Sequence, residues 1–212
     1  MQRFDEARQI IQQAQQRNLD GYVLHGDLYA LAFLGSDSVA MARQQLWFAG
    51  EPEYENFGLS LSSDAEAYSG RLRNAREATK RAVDSAIRAD NKESGAVWMA
   101  IASQREAAYG FPAEARRLAV EALKLAPTSR AAESEAALAF AMSSDPARAE
   151  SLAQDLGKRF PLDTQMQSLW VPAIKAQLSR AHAPIPGGEP ALGDVFQQLQ
   201  ALSTAADSQC RL

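Results

Sequence analysis

The residues of this chain best suited to chemistry are two histidines, one cysteine and a run of arginines. His25 lies within GYVLHGDLYALAF, a stretch with helical patterning. A general base needs an orienting acid and a proton to take. Spacing fixes neither beside His25, so it reads as a groove or surface histidine. His182 and Cys210 are too few to complete a Cys/His metal set, and one cysteine excludes an internal disulfide. The serines of SLSSD lack the Gly-x-Ser-x-Gly elbow of an activated nucleophile. Glu114, Glu121, Glu133, Glu135 and Glu150 sit among Lys and Arg at helical spacings, the pattern of solvated pairs. No catalytic residue, metal or cofactor is expected.

The segment GRLRNAREATKRAVDSAIR gathers Arg71, Arg73, Arg76, Lys80, Arg81 and Arg88. Nucleic-acid binding calls for interleaved aromatics or a basic domain. Glu77 and Asp84 interrupt the run instead, and the chain carries 22 Lys and Arg against 26 Asp and Glu, a net charge of -4. No nucleic-acid partner is expected. The first residues, MQRFDEARQIIQQAQQRNLD, have no apolar stretch of a signal peptide, and no run approaches the ~20 apolar residues of a membrane span. Membrane insertion is not expected either, and the compartment is left open.

Alanine dominates the composition, with 41 residues against 12 Gly and 9 Pro. Such a chain favours helix over strand. Helical periodicity recurs in pairs of segments separated by Gly, Ser-Asp or Pro breaks. One ruler fits four pairs. Ala40, Ala75, Ala115 and Ala149 have Gly35, Gly70, Gly110 and Ser144 five residues before them, and Trp47, Ala82, Ala122 and Leu156 seven after. Pro52, Pro127 and Pro161 follow at twelve, where the second unit has Ile87. Ala7, with Ala14 and Leu19 at the same two later offsets, begins the series, and the intervals are 33, 35, 40 and 34 residues. A small anchor lets paired helices approach, Gly accepts a turn other residues resist, and Pro ends the second helix.

A period of this size resembles the tetratricopeptide repeat (TPR). The resemblance implies an all-α fold, a right-handed superhelical stack of antiparallel helix pairs. Ser63, Glu66, Ser103 and Glu106 depart from it, standing where small or aromatic packing residues are usual, so the repeats are divergent. The 40-residue interval calls for longer helices through RAVDSAIRADNKESG. The alternative is an irregular alanine-rich bundle, which one matching offset would allow and three in several units argue against.

Residues 1–19 read as the second helix of an incomplete unit, 20–182 as the array, and 183–190, APIPGGEP, as a Pro/Gly linker. Residues 191–212 hold a terminal helix and tail. There Leu192, Val195, Phe196, Leu199 and Leu202 form an apolar stripe, which caps the array or docks elsewhere. The stretches RFPLDTQMQSLWVPAIKAQLSRA and SDAEAYSGRLRNAREATKRAVDSAIRAD resemble the C-terminal helical-repeat region of bacterial, acidobacterial-type serine/threonine protein kinases. That resemblance implies an accessory or sensory array of a larger signalling protein. The chain has no Gly-rich loop, VAIK-like lysine, HRD or DFG sequence, so no phosphotransfer is expected of it.

In such an array the first helix of each pair lines the groove. Counting back from the anchors places Tyr22, His25, Tyr29 and Phe33 there, then Phe57, Asp64 and Tyr68, then Gln104, then Leu138 and Met142. Large rigid aromatics suit a protein or peptide segment as partner. Equal weight goes to several of them being inter-repeat core. The Lys/Asn/Arg clamp for a terminal carboxylate is missing from these positions. Self-association is the second expectation, because Phe4, Ile10 and Ile11 of the incomplete unit want a cover.

Overall fold

The computed structural model describes residues 3–182; the expected linker at 183–190 and the terminal helix at 191–212 lie outside the described residues. Among the described residues the fold is all-α, with ten α-helices and no strand. They are α1 (Phe4–Gln16), α2 (Tyr22–Leu34), α3 (Ser38–Gly50), α4 (Glu55–Tyr68), α5 (Leu72–Arg88), α6 (Lys92–Ala108), α7 (Pro112–Leu125), α8 (Arg130–Met142), α9 (Pro146–Arg159) and α10 (Val171–His182). A single π-helical turn, Met166–Trp170, leads into α10.

Two kinds of helix ending organise the chain. The first places one residue in the left-handed region: Asn18, Ser36, Gly70, Asp90, Gly110 or Ser144. The next amide then reaches back five residues to a helix carbonyl: Leu19 to Ala14, Asp37 to Ala32, Arg71 to Glu66, Asn91 to Ala86, Phe111 to Glu106 and Asp145 to Phe140. Carbonyls that a helix end would leave open are thereby satisfied. After Ser36, Gly70, Gly110 and Ser144 the following helix starts two residues on and folds back. The second kind stops α3, α7 and α9 two residues before Pro52, Pro127 and Pro161. A proline disfavours helical backbone in the residue before it, and Glu51, Ala126 and Phe160 leave the helical region accordingly. With Ile87 in place of that proline, α5 runs on to Arg88. Both α5 and α6 are 17 residues long, against 13 or 14 in the other helices from α2 to α9, which accounts for the 40-residue interval.

The leading helices α2, α4, α6 and α8 pack on the trailing helices α3, α5, α7 and α9. Each pair meets the next through α3–α4, α5–α6 and α7–α8, and along α2–α4, α4–α6 and α6–α8. Ala75, Ala115 and Ala149 are each the fourth residue of a trailing helix and are fully buried, as are Ala82, Ala122 and Leu156 seven residues on. In α3 the fourth residue is Met41, and Phe48 is the buried residue seven later. Gly35 and Ala40 therefore stand one place off the positions expected of them. The left-handed residue is Ser36, while Gly35 has φ -84° and Ala40 is only partly covered.

Small residues on neighbouring helices explain how bulk is tolerated at Phe48, where α5 and α7 carry Ala82 and Ala122, and at Phe57. A Cβ on Gly58 of α4 would stand 2.5 Å from Phe48 Cβ, and one on Gly26 of α2 would stand 2.8 Å from the Phe57 ring. The close approach is kept, with the missing side chains on the partner helix. In the corrected register the anchors are Ala7, Met41, Ala75, Ala115 and Ala149, and every interval but the extended one is 34 residues. Twelve residues before the last four come Tyr29, Ser63, Ser103 and Ala137, all buried on leading helices. Ser63 and Ser103 donate to the carbonyls of Ala75 and Ala115, 2.8 Å each, which is how hydroxyls are accommodated at these packing positions.

Alanines of α6 to α9 form the main core around Phe140, with Ile174 of α10 against them. Leu156, Met166 and Val171 make a second cluster with Phe160 and Trp170. At the other end Ile11 of α1 is buried, Phe4 is half-buried and Ile10 is exposed.

Candidate interaction surfaces

The one-residue shift turns α2 by about 100° relative to the expected orientation. His25 and Tyr29 are buried, while Tyr22 is exposed. Tyr22 stacks on Tyr54 with ring centroids 4.7 Å apart and meets Phe57 edge-on at 5.6 Å. His25 stacks on Trp47 at 3.7 Å, Trp47 meets Phe48, Phe48 meets Phe57, and Phe57 reaches Trp98 at 5.9 Å. Trp98 Nε1 donates to Asn56 Oδ1 over 2.9 Å. The three expected groove residues Tyr22, His25 and Phe57 thus belong to one aromatic cluster joining α2, α3, α4 and α6, with only Tyr22 substantially exposed.

An acid does stand beside His25. Its Nε2 lies 3.2 Å from Asp20 Oδ2 and its Nδ1 lies 2.6 Å from Gln44 Oε1. Both ring nitrogens are engaged and the ring is buried. Tyr29 is likewise buried; enclosure pushes its phenol above the usual range, against a hydrogen bond with Gln45. Its position matches Ser63 and Ser103, the contact between paired helices, so it is a packing residue and not a groove residue. Phe33 packs edge-on against Tyr68 at 5.2 Å, and Tyr68 is 74% exposed.

Polar residues link the leading helices to one another. Arg105 of α6 donates to Asp64 of α4 at 2.5 Å and to Ser63 Oγ and Thr79 Oγ1 at 2.8 Å each, while its buried Nε has no acceptor among the described residues. Burial draws this guanidinium down from its usual range and the Asp64 charge opposes the shift. Gln104, at the place in α6 that Asp64 has in α4, reaches α8 by donating to the Glu135 carbonyl over 3.1 Å and to its carboxylate. Burial raises the Glu135 carboxyl above the ordinary range, with the Gln104 hydrogen bond pulling back. Met142 is half-buried near the end of α8. Half of the basic run at α5 and its N-cap is held by carboxylates: Arg71 by Glu66 at 2.6 Å, Arg76 by Glu106 at 2.6 and 2.8 Å, and Arg88 by Glu55 at 3.0 Å.

The trailing helices leave two clefts between them. One, about 500 Å³, runs between α5 and α7 over α6; the other, about 540 Å³, runs between α7 and α9 over α8. Both fall within the size range of ligand sites. The first has Val83, Met99, Ala102 and Leu118 beneath a rim of both charge signs. The second has Val120, Leu123, Phe140 and Leu152 beneath Lys124 and Arg148. Among the described residues no group of three His, Cys, Asp or Glu could hold a metal ion.

The chain matches no protein-family model, no curated protein and no solved structure. Sequence reasoning missed Arg105, Glu135 and both clefts. Arg105 meets residues 26 to 42 positions away, a relation no local spacing signals. The clefts had a faint signal in the recurring apolar positions Val83 and Leu123, forty residues apart and equivalent once the anchors are aligned.

Proposed function

We propose that this chain is a non-catalytic protein-interaction scaffold, a TPR-like array of helix pairs stacked in a right-handed superhelix. In this reading it serves as the accessory or sensory region of a larger signalling protein of the serine/threonine kinase type. Repetition carries the proposal: Met41, Ala75, Ala115 and Ala149 occupy one position in four successive hairpins, and neighbouring hairpins leave clefts at matching places. Stacked repeats that contact their neighbours offer long surfaces for partner chains. The resemblances at residues 63–90 and 159–181 supply the signalling context. No helix among the described residues is long and apolar enough to cross a membrane.

The test is affinity capture with the immobilised chain from the source organism, followed by titration of each purified candidate against the chain. A stoichiometric partner that fails to bind an Ala75→Glu variant supports the scaffold. Saturable turnover of ATP abolished by a point substitution would overturn it.

Self-association is a second reading, favoured by α3. Val39, Ala42, Leu46 and Ala49 are exposed along one stripe of that helix. At the equivalent places α5 carries Arg73, Arg76 and Lys80 before Val83. Sedimentation separates the readings: a dimer that dissociates on Leu46→Lys, or on deletion of residues 1–19, supports self-association, and a monomer at all concentrations rejects it.

A further inference from the structure

We infer that the cleft between α7 and α9 docks an acidic amphipathic segment of a partner protein, apolar side chains inward and carboxylates on Lys124 and Arg148. The inference rests on the scaffold reading and places the contact on the trailing helices, away from the face the sequence pointed to.

The two clefts are built in register, so their differences can be compared position by position. Val83 and Leu118 of the first correspond to Leu123 and Leu152 of the second, which preserves the apolar walls. The charged positions change character. Asp84 becomes Lys124, Glu114 becomes Arg148, and Glu106 on the floor becomes Phe140. In the first cleft five carboxylates, Glu77, Asp84, Glu106, Glu114 and Glu121, stand among the cations, tying Arg76 to Glu106 and Arg117 to Glu114 and Glu121, while Arg73 and Lys80 have no ion-pair partner among the described residues. No carboxylate lines the apolar part of the second, and where the space between α7 and α9 continues, Glu121 and Asp145 stand among the more numerous Arg116, Arg117, Lys124 and Arg148.

In the second cleft cations outnumber carboxylates. Lys124 has no ion-pair partner among the described residues. Arg148 lies over the Phe140 ring at 5.4 Å and meets Asp145 only at 3.5 Å. A basic rim over an apolar trough, in a chain of net charge -4, is complementary to a segment with apolar residues on one side and carboxylates beside them. Apolar walls from α7 and α9 over a buried ring suit a helix laid between them, anchored at i, i+3 and i+7. Without an exposed aromatic for stacking, the cleft is a poor fit to a nucleic-acid strand.

The test uses the full isotope-labelled chain and a synthetic helix of about 16 residues with Leu at i, i+3 and i+7 and Glu on both flanks, long enough for helix to form on binding. A counterpart carries Lys for Glu. The Glu peptide should shift amides of α7 and α9 and bind at least about tenfold more tightly than the Lys peptide, with affinity falling as salt rises. Lys124→Glu should reverse the preference. Ser151→Glu, which adds an acid at the rim and removes no contact, should weaken the Glu peptide similarly. Lys80→Glu in the first cleft should leave it unchanged. Equal affinity for the two peptides, or no shifts in α7 and α9, overturns the inference. Shifts confined to Tyr68, Gln104 and Met142 overturn it while leaving the scaffold reading standing.

Discussion

The Ser63 hydroxyl donates to the Ala75 carbonyl at 2.8 Å while lying 2.7 Å from Thr79 Oγ1 and accepting from Arg105 at 2.8 Å. Its counterpart Ser103 has only the first of these relations, to Ala115. The two serines therefore differ in what their removal leaves behind. Ser103→Ala should cost about 1 kcal/mol or less, since the Ala115 carbonyl retains its place at a helix turn. Ser63→Ala takes an acceptor from a buried guanidinium and should cost about 1–3 kcal/mol. Urea unfolding of the two variants checks the order.

The corrected register makes Ala115 and Ala40 unequal. Ala115→Leu forces volume into a fully buried helix contact and should cost about 1–3 kcal/mol. Ala40→Leu, on a partly covered position, should stay within about 0.5 kcal/mol. Comparable losses in thermal melts would return the anchor to Ala40.

Gly58 and Phe48 should be energetically coupled. Gly58→Ala alone places a methyl group 2.5 Å from Phe48 Cβ and 2.6 Å from its Cγ and destabilises, whereas in a Phe48→Ala background, which removes Cγ and the ring, part of that cost disappears. A double-mutant cycle should give a coupling of about 0.5–3 kcal/mol. Strict additivity would mean that α3 and α4 are not this close.

Tyr29→Ala removes a buried ring and should cost about 3 kcal/mol or more. Tyr68→Ala, at an exposed ring, should change stability by about 0.5 kcal/mol or less. Calorimetry on the pair distinguishes packing residue from surface residue at two positions of the expected groove.

Glu135 makes stability depend on pH. Its folded carboxyl titrates above the ordinary value of 4.5, so the folded state holds this proton more tightly than the unfolded chain does. The associated stability is present below the unfolded value and is lost as pH rises through the folded one. Glu135→Gln should accordingly raise the melting temperature at pH 7 and leave it nearly unchanged at pH 4. A larger gain at pH 4 would reverse the assignment.

Backbone chemistry was the legible part of this sequence. Gly70 and Gly110 mark turns because their φ angles of +75° and +83° suit glycine, and Pro127 and Pro161 mark helix ends because of what they forbid in the residue before them. Where a left-handed turn is made by Ser36, with a glycine one place earlier, the same reasoning slips by a residue. That slip put the buried His25 and Tyr29 among surface residues, since each was placed by counting from Ala40. Gly26 and Gly58, whose absent side chains make room for Phe57 and Phe48, hold the missing information, but nothing in their spacing says which helix they face. The Arg105 hub and the α7–α9 cleft depend on neighbouring hairpins meeting, which a pattern within one hairpin does not encode.

Helices here pack on helices one or two places away in the chain, so ordering any of them requires little that has not already been synthesised. Loop closure over such short separations carries a small entropic cost. On the ribosome, α2 and α3 have each other as soon as both have emerged, and α4 arrives with Gly58 to a Phe48 already in position. Vectorial synthesis therefore builds this protein in the order in which it is stacked, and a chain paused midway has most of its alanine faces covered.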